Sequence, residues 1–139
     1  MNCSPNEDNR RILVVDDEDD VLEFLKIFLE SLGWTVTTVR CAEEAFATLK
    51  DTVFFLVITD IAMPQMDGYE FISRLRELKL DSRLAVMTGF GYNPEHTLVK
   101  INKTMKYPFL FKPFNRKKVI EVVQNAWDSF HGRVPPVPA

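Results

Sequence analysis

Four short apolar runs in this chain each stop at a polar or charged residue. Ile12-Leu13-Val14-Val15 ends in Asp16-Asp17, the run from Phe54 to Thr59 in Asp60, Leu84-Ala85-Val86-Met87 in Thr88, and Phe109-Leu110-Phe111 in Lys112-Pro113. Runs that are apolar throughout, at 12–15 and 54–58, suit strands buried on both faces, as in a parallel sheet covered by helices. Stretches of helical period separate them, at about 19–32, 42–51, 68–80, 94–106 and 115–130. The alternation predicts five strands and five helices around a mostly parallel sheet.

Length limits the remaining choices. With 139 residues and 46% hydrophobic content, the chain fits one packed core and leaves no room for a second. The expected division is a flexible tail over 1–10, one domain over 11–131 and a Pro-rich tail over 132–139. In that tail Pro135 and Pro138 make a P-x-x-P spacing too short to name a partner. No apolar run approaches the ~20 residues of a membrane span, and Met1 to Arg11 is polar rather than signal-like. A soluble, cytoplasmic protein without membrane insertion is expected. Cys3 and Cys41 offer neither a disulfide framework nor a metal-ligand spacing.

Charge is unevenly shared. Residues 1–70 carry 5 basic and 15 acidic side chains, residues 71–139 carry 12 and 5. The basic half lacks a stacking aromatic series and a helix-turn-helix signature, so Lys100, Lys103, Lys106, Arg116, Lys117 and Lys118 suit a solvated or protein-docking face better than direct nucleic-acid binding.

Locally, Val21, Phe24, Leu25, Phe28, Leu29 and Leu32 form the expected inner stripe of the first helix, with Gly33 as its stop. Ile27 falls outside that stripe and, beside Leu22, is a candidate apolar docking spot. Thr35-Val36-Thr37-Thr38-Val39 alternates and is the natural edge strand, exposed on one face. Asn115 is the expected cap of the last helix. The segment 94–106 keeps helical spacing at Leu98, Ile101 and Met105 but contains mediocre helix formers, which suits a segment that moves during switching.

In an open parallel sheet, ligands collect beyond the carboxyl ends of the strands, where the connection order reverses. Strand order 2-1-3-4-5 would bring Asp16, Asp17, Asp60, Thr88 and Lys112 to one rim. Carboxylates ~4 Å apart repel by about 4 kcal/mol per pair at an effective dielectric of 20, so such a rim calls for a cation. Mg²⁺ suits it, being small, hard and able to link carboxylates to a phosphoryl group, and Mn²⁺ can substitute. A carboxylate beside the metal can attack phosphorus to give an acyl phosphate, which makes Asp60 the expected nucleophile.

Asp16-Asp17, Asp60 with Met63-Pro64 and Met66-Asp67-Gly68, Thr88, and Lys112-Pro113 stand in an order and spacing that resembles the receiver domain of two-component response regulators. The resemblance covers about residues 11–131. It implies a flavodoxin-like (βα)5 fold, a doubly wound five-stranded parallel sheet in the order 2-1-3-4-5. It implies that Asp60 accepts phosphate from a histidine kinase or histidine phosphotransfer protein. Asp17, Asp60 and the Ala62 carbonyl would bind Mg²⁺, with Asp16 helping through water, and Thr88 and Lys112 would sense the phosphoryl group. A cis Lys112-Pro113 peptide and a rotamer change of Phe109 as Thr88 moves inward are further implications.

Some positions depart from the family's pattern. Phe109 lacks the hydroxyl of the tyrosine often found there, so its two states would differ by packing alone. Ala62 and Phe90, on the rim, are apolar and cannot orient an attacking water, which suits slow self-dephosphorylation. Tyr107-Pro108 stiffens the approach to the fifth strand.

The expected role is a signalling domain that catalyses only its own phosphorylation and dephosphorylation. Output would pass through the face of the fourth helix, fifth strand and fifth helix, to an unknown output protein or to a second copy in a phosphorylation-dependent homodimer. With no effector after the last helix, the chain reads as a stand-alone receiver or as one cut from a longer protein. Two alternatives remain: a phosphate-independent pseudo-receiver, and a haloacid-dehalogenase-like phosphatase, whose Asp-x-Asp arrangement Asp16-Asp17-Glu18 does not supply. A nucleotide site fits poorly, because Gly89-Phe90-Gly91 has Pro94 in place of a third glycine.

Overall fold

A computed structural model describes residues 10–60, 68–77, 83–88, 108–112 and 114–130. Five parallel strands run in the order β2-β1-β3-β4-β5: β1 Arg11–Val15, β2 Thr35–Val39, β3 Leu56–Asp60, β4 Arg83–Thr88 and β5 Phe109–Phe111. Helices α1 (Asp19–Ser31), α2 (Ala42–Asp51) and α3 (Gly68–Glu77), with a C-terminal helix (Arg116–Phe130), complete the described elements. The expected helix over 94–106 lies outside the described residues, as do residues 78–80.

The apolar runs are explained by two cores. Ile12, Val14, Leu56, Ile58, Ala85, Met87 and Leu110 face α1 and the C-terminal helix, against Leu22, Leu25, Leu29, Val119, Val122 and Val123. Leu13, Val15 and Val57 face the other way, onto Ala42, Ala45 and Leu49 of α2 and Phe71 and Leu75 of α3. Alternate residues of one strand thus feed both cores, so no polar position is left within it. Phe54 and Phe55 also lie one in each core, but Phe55 shares the core of its neighbour Leu56, so the alternation breaks between those two residues. Regular pairing begins only at Leu56, although Phe55 N–H already donates to the Arg11 carbonyl at 2.8 Å.

Gly33 ends α1 as expected. Its φ of 103° lies in the left-handed region, and two bonds close the turn: Gly33 N–H to the Glu30 carbonyl at 3.1 Å and Trp34 N–H to the Leu29 carbonyl at 3.1 Å. This is a Schellman arrangement, and Trp34 then packs against the core that holds Leu29. Asn115 caps the C-terminal helix, its Oδ1 accepting from Lys117 N–H at 2.8 Å and Lys118 N–H at 3.4 Å.

Two expectations about exposure need correction. On α1, Leu22 is buried while Leu32 is 46% exposed, so the inner stripe is rotated and ends sooner than its spacing implies. Ile27 does stand out, 62% exposed, but without Leu22 beside it. Its neighbours are instead Phe24, Phe28, Ser31 and Arg116, which line a shallow groove between α1 and the start of the C-terminal helix. The edge strand β2 does not expose one face: Val36 is buried in one core and Val39 in the other. Thr35 is exposed, and Thr37 and Thr38 on opposite faces are half-buried, so exposure follows the strand's free edge.

An aromatic cluster closes the amino ends of the strands. Trp34 stacks on Phe55 at 5.4 Å, and Trp127 meets both edge-on, at 5.4 Å and 5.2 Å. The Arg10 guanidinium lies 4.7 Å from the Trp127 ring and 5.5 Å from the Trp34 ring, a cation–π contact that ties the start of β1 to the last helix.

A Cβ at Gly33 would meet nothing within 4 Å, so its replacement tests backbone strain alone. Gly33→Ala is expected to lower stability by about 1–2 kcal/mol. In urea denaturation followed by circular dichroism, the midpoint falls while the slope stays constant.

Candidate functional site

Parallel pairing sets the carboxyl ends of the strands along one rim. Val15 pairs with Thr59, Asp60 with Met87, and Thr88 with Phe111, so the residues that end or follow β1, β3, β4 and β5 arrive side by side. Asp16 directly follows β1 and is fully buried; its amide donates to the Val39 carbonyl at 3.1 Å, and its Oδ1 accepts from Glu18 N–H at 2.9 Å. Asp60 ends β3 and is 3% exposed. Asp17 is half-buried. One carboxylate oxygen from each of Asp16, Asp17 and Asp60 lies within 4.8 Å of the others.

Lys112, just beyond β5, reaches into this cluster. Its Nζ donates to Asp60 Oδ2 at 3.2 Å and to Glu18 Oε1 at 2.8 Å, and stands 2.8 Å from Asp16 Oδ2. The Asp16 contact is an ion pair without hydrogen-bond angles, and that buried oxygen has no hydrogen-bond donor among the described residues. Burial pushes the Asp16 carboxyl up to about 6, aided by the Asp60 charge; Lys112 and the Glu18 amide pull it down only in part. Burial also opposes the Lys112 ammonium, but Asp16, Glu18 and the Asp60 charge outweigh it and hold its pKa above the ordinary lysine range.

A buried carboxylate oxygen that has an ammonium nearby but no hydrogen-bond donor among the described residues, set among three acids, fits a cation. The donors are all hard oxygens, which suits Mg²⁺ and gives no foothold for a metal that needs nitrogen or sulfur. Of the expected site residues, Asp16, Asp17, Asp60 and Lys112 are together. Thr88 ends β4 and Phe109 begins β5, at the backbone positions expected of them, while their side chains fall outside the described set. Ala62, Phe90 and Pro113, and with Pro113 the expected cis peptide, lie outside the described residues.

Glu18 was not expected here. It occupies the N-cap position of α1, yet its side chain makes no capping bond and turns to Lys112 instead. The signal available in sequence was a third acid directly after Asp16-Asp17, which reads equally well as a favourable charge at a helix start.

The doubly wound sheet carries its acidic cluster and lysine at the carboxyl rim, where this class of α/β domain binds its ligands. Comparison with known proteins narrows this. The family model described as "Response regulator receiver domain" matches residues 12–124. The chain belongs to that family. It is 35% identical over 103 residues to the response regulator receiver protein CpdR of Brucella abortus, covering 72% of this chain and 86% of that one. It is 27% identical over 109 residues to the response regulator SaeR of Staphylococcus epidermidis, covering 78% of this chain but 46% of that longer protein, so it spans about half of SaeR. Among solved structures, a CheY-like receiver domain protein from Methanospirillum hungatei JF-1 superposes with a TM-score of 0.81 at 27% identity, covering 89% of this chain and 98% of that one. No helix among the described residues is long and apolar enough to cross a membrane.

The raised Asp16 value has a pH signature in metal-free protein. Asp16 holds its proton more tightly folded than unfolded between the ordinary carboxylate value of 3.8 and about 6, so its contribution to stability falls as pH rises through that window. Asp16→Asn removes this loss. In chelator, the variant is expected to match wild type near pH 4 and to exceed it by about 2 kcal/mol at pH 7. Thermal melts at both pH values check this, and equal stability at pH 7 would contradict the account.

Proposed function

We propose that this chain is the phosphoacceptor receiver of a two-component phosphorelay, with Asp60 taking a phosphoryl group from a phosphohistidine donor. One observation carries the proposal: Asp60 sits at the centre of the rim, 3.2 Å from the Lys112 ammonium and within reach of Asp16 and Asp17. A carboxylate of Asp60 attacks phosphorus, the phosphorus–nitrogen bond breaks, and the imidazole leaves with the bonding pair. Lys112 then neutralises charge gathering on the phosphoryl oxygens.

Asp17, Asp60 and the Ala62 carbonyl would hold Mg²⁺, with Asp16 assisting through water and Mn²⁺ as a substitute. Bound there, the cation supplies charge neutralisation to both the carboxylates and the phosphoryl group. Near-complete burial of Asp60 supports a site that keeps bulk water from the acyl phosphate. Thr88 and Phe109 are the proposed switch, coupling the phosphoryl group to the face built from the segment 94–106, β5 and the C-terminal helix. The partners would be a histidine kinase or histidine phosphotransfer protein upstream, and an output protein or a second copy of the chain downstream. In this reading the domain is cytoplasmic and signals rather than turning over a substrate. The proposed domain spans 11–131.

Incubation with Mg²⁺ and acetyl phosphate, read by intact mass, tests the acceptor. One added phosphoryl mass is expected in wild type, lost without Mg²⁺ and lost entirely in Asp60→Ala. No adduct with acetyl phosphate, with beryllofluoride or from a cognate kinase would favour a phosphate-independent binding module.

Apolar Ala62 and Phe90 lead to a separate expectation, a phosphorylated form that outlasts seconds in Mg²⁺ buffer. Decay of the purified phosphoprotein, followed by mass, checks it.

A further inference from the structure

We infer that Glu18 is a positioning residue that holds Lys112 in the unphosphorylated state and competes with an incoming phosphoryl group for it. The inference rests on the proposed acceptor role of Asp60.

Three observations converge. Glu18 Oε1 accepts from Lys112 Nζ at 2.8 Å, shorter than the 3.2 Å from that ammonium to Asp60 Oδ2. Glu18 stands at the N-cap of α1 and makes no side-chain capping bond there, being longer than the Ser, Thr, Asp or Asn that usually cap, so no local backbone bond competes with Lys112 for its carboxylate. Its side chain is 60% exposed whereas that of Lys112 is 14% exposed, so Glu18 reaches the ammonium from the solvent side. Asp16 and Asp60 are fixed by their strands and hold Lys112 from below.

A phosphoryl group on Asp60 needs charge-assisted bonds to its equatorial oxygens, and Lys112 has three protons to give. Two already go to Glu18 and Asp60. The Glu18 bond is the one that can be surrendered cheaply, because an exposed carboxylate regains full hydration on release. Glu18 also adds a negative charge at the mouth of a site that an anionic phosphodonor must enter. Removing it should therefore favour the phosphoryl-bound state and disfavour bare cation binding, two effects of opposite sign.

Beryllofluoride, a phosphoryl mimic, separates them. Wild type, Glu18→Gln and Glu18→Asp are titrated first with Mg²⁺ alone and then with beryllofluoride at saturating Mg²⁺. Glu18→Gln is expected to bind beryllofluoride about 2- to 5-fold more tightly, the range that loss of an exposed ion pair gives, with Mg²⁺ affinity unchanged or lower. Glu18→Asp keeps the charge but shortens the reach; an effect close to that of Gln identifies the tether. Wild-type behaviour in Glu18→Asp would assign the effect to charge alone and overturn the tether. Unchanged or weaker beryllofluoride binding in Glu18→Gln, with wild type binding normally, overturns this inference and leaves the acceptor role standing. Absence of beryllofluoride binding in wild type removes both.

Discussion

Lys112 reaches from the end of β5, past β3 and β4, to Asp16 beyond the end of β1, and the carboxyl rim depends on that span. Asp16 and Asp60 are almost wholly removed from water, where uncompensated charge is expensive. The ammonium offsets part of that expense for both. Removing the ammonium from such a buried cluster would cost about 3–5 kcal/mol, because the carboxylate charge left behind has nowhere to go. The rim is therefore built as a unit, tolerable only because charges from distant parts of the chain meet there.

The sheet makes the meeting possible. Parallel strands in the order β2-β1-β3-β4-β5 present all their carboxyl ends to one side, and helices on both faces keep the strands dry. A site carried on strand ends inherits their rigidity, so Asp60 and Asp16 are placed by the core rather than by loop conformation. Glu18 and Lys112 are the freer members, each just outside a regular element. Strand-held acids below and charges carried just outside the regular elements above suit the proposed acceptor, which would recognise an arriving anion and then report it.

Much of this was legible in the sequence because each feature had a local cause. Runs without polar residues gave buried parallel strands, Gly33 gave the helix stop, Asn115 the cap, and the acids and lysine at run ends gave the rim. The failures share a different cause. Helix α1 is apolar at Val21, Leu22, Phe24, Leu25, Ile27, Phe28 and Leu29, so periodicity alone could not locate the centre of its buried stripe, and Leu22 was misplaced. In β2, Val36 and Val39 stand an odd number of residues apart and must face opposite ways, which the look of alternation conceals. Glu18 escaped notice because its partner is 94 positions away, and no local pattern distinguishes an acid that caps a helix from one that turns back across a rim.

Both tryptophans of the chain, Trp34 and Trp127, sit together in the cluster at the amino ends of the strands, the pole opposite the carboxylates. Intrinsic fluorescence will therefore be a poor witness to cation or phosphoryl chemistry and a good one to unfolding. The molecule carries its own optical thermometer, insulated from the site by the length of the sheet. A phosphorylation-linked change in that signal would mean that the switch had travelled through the whole core.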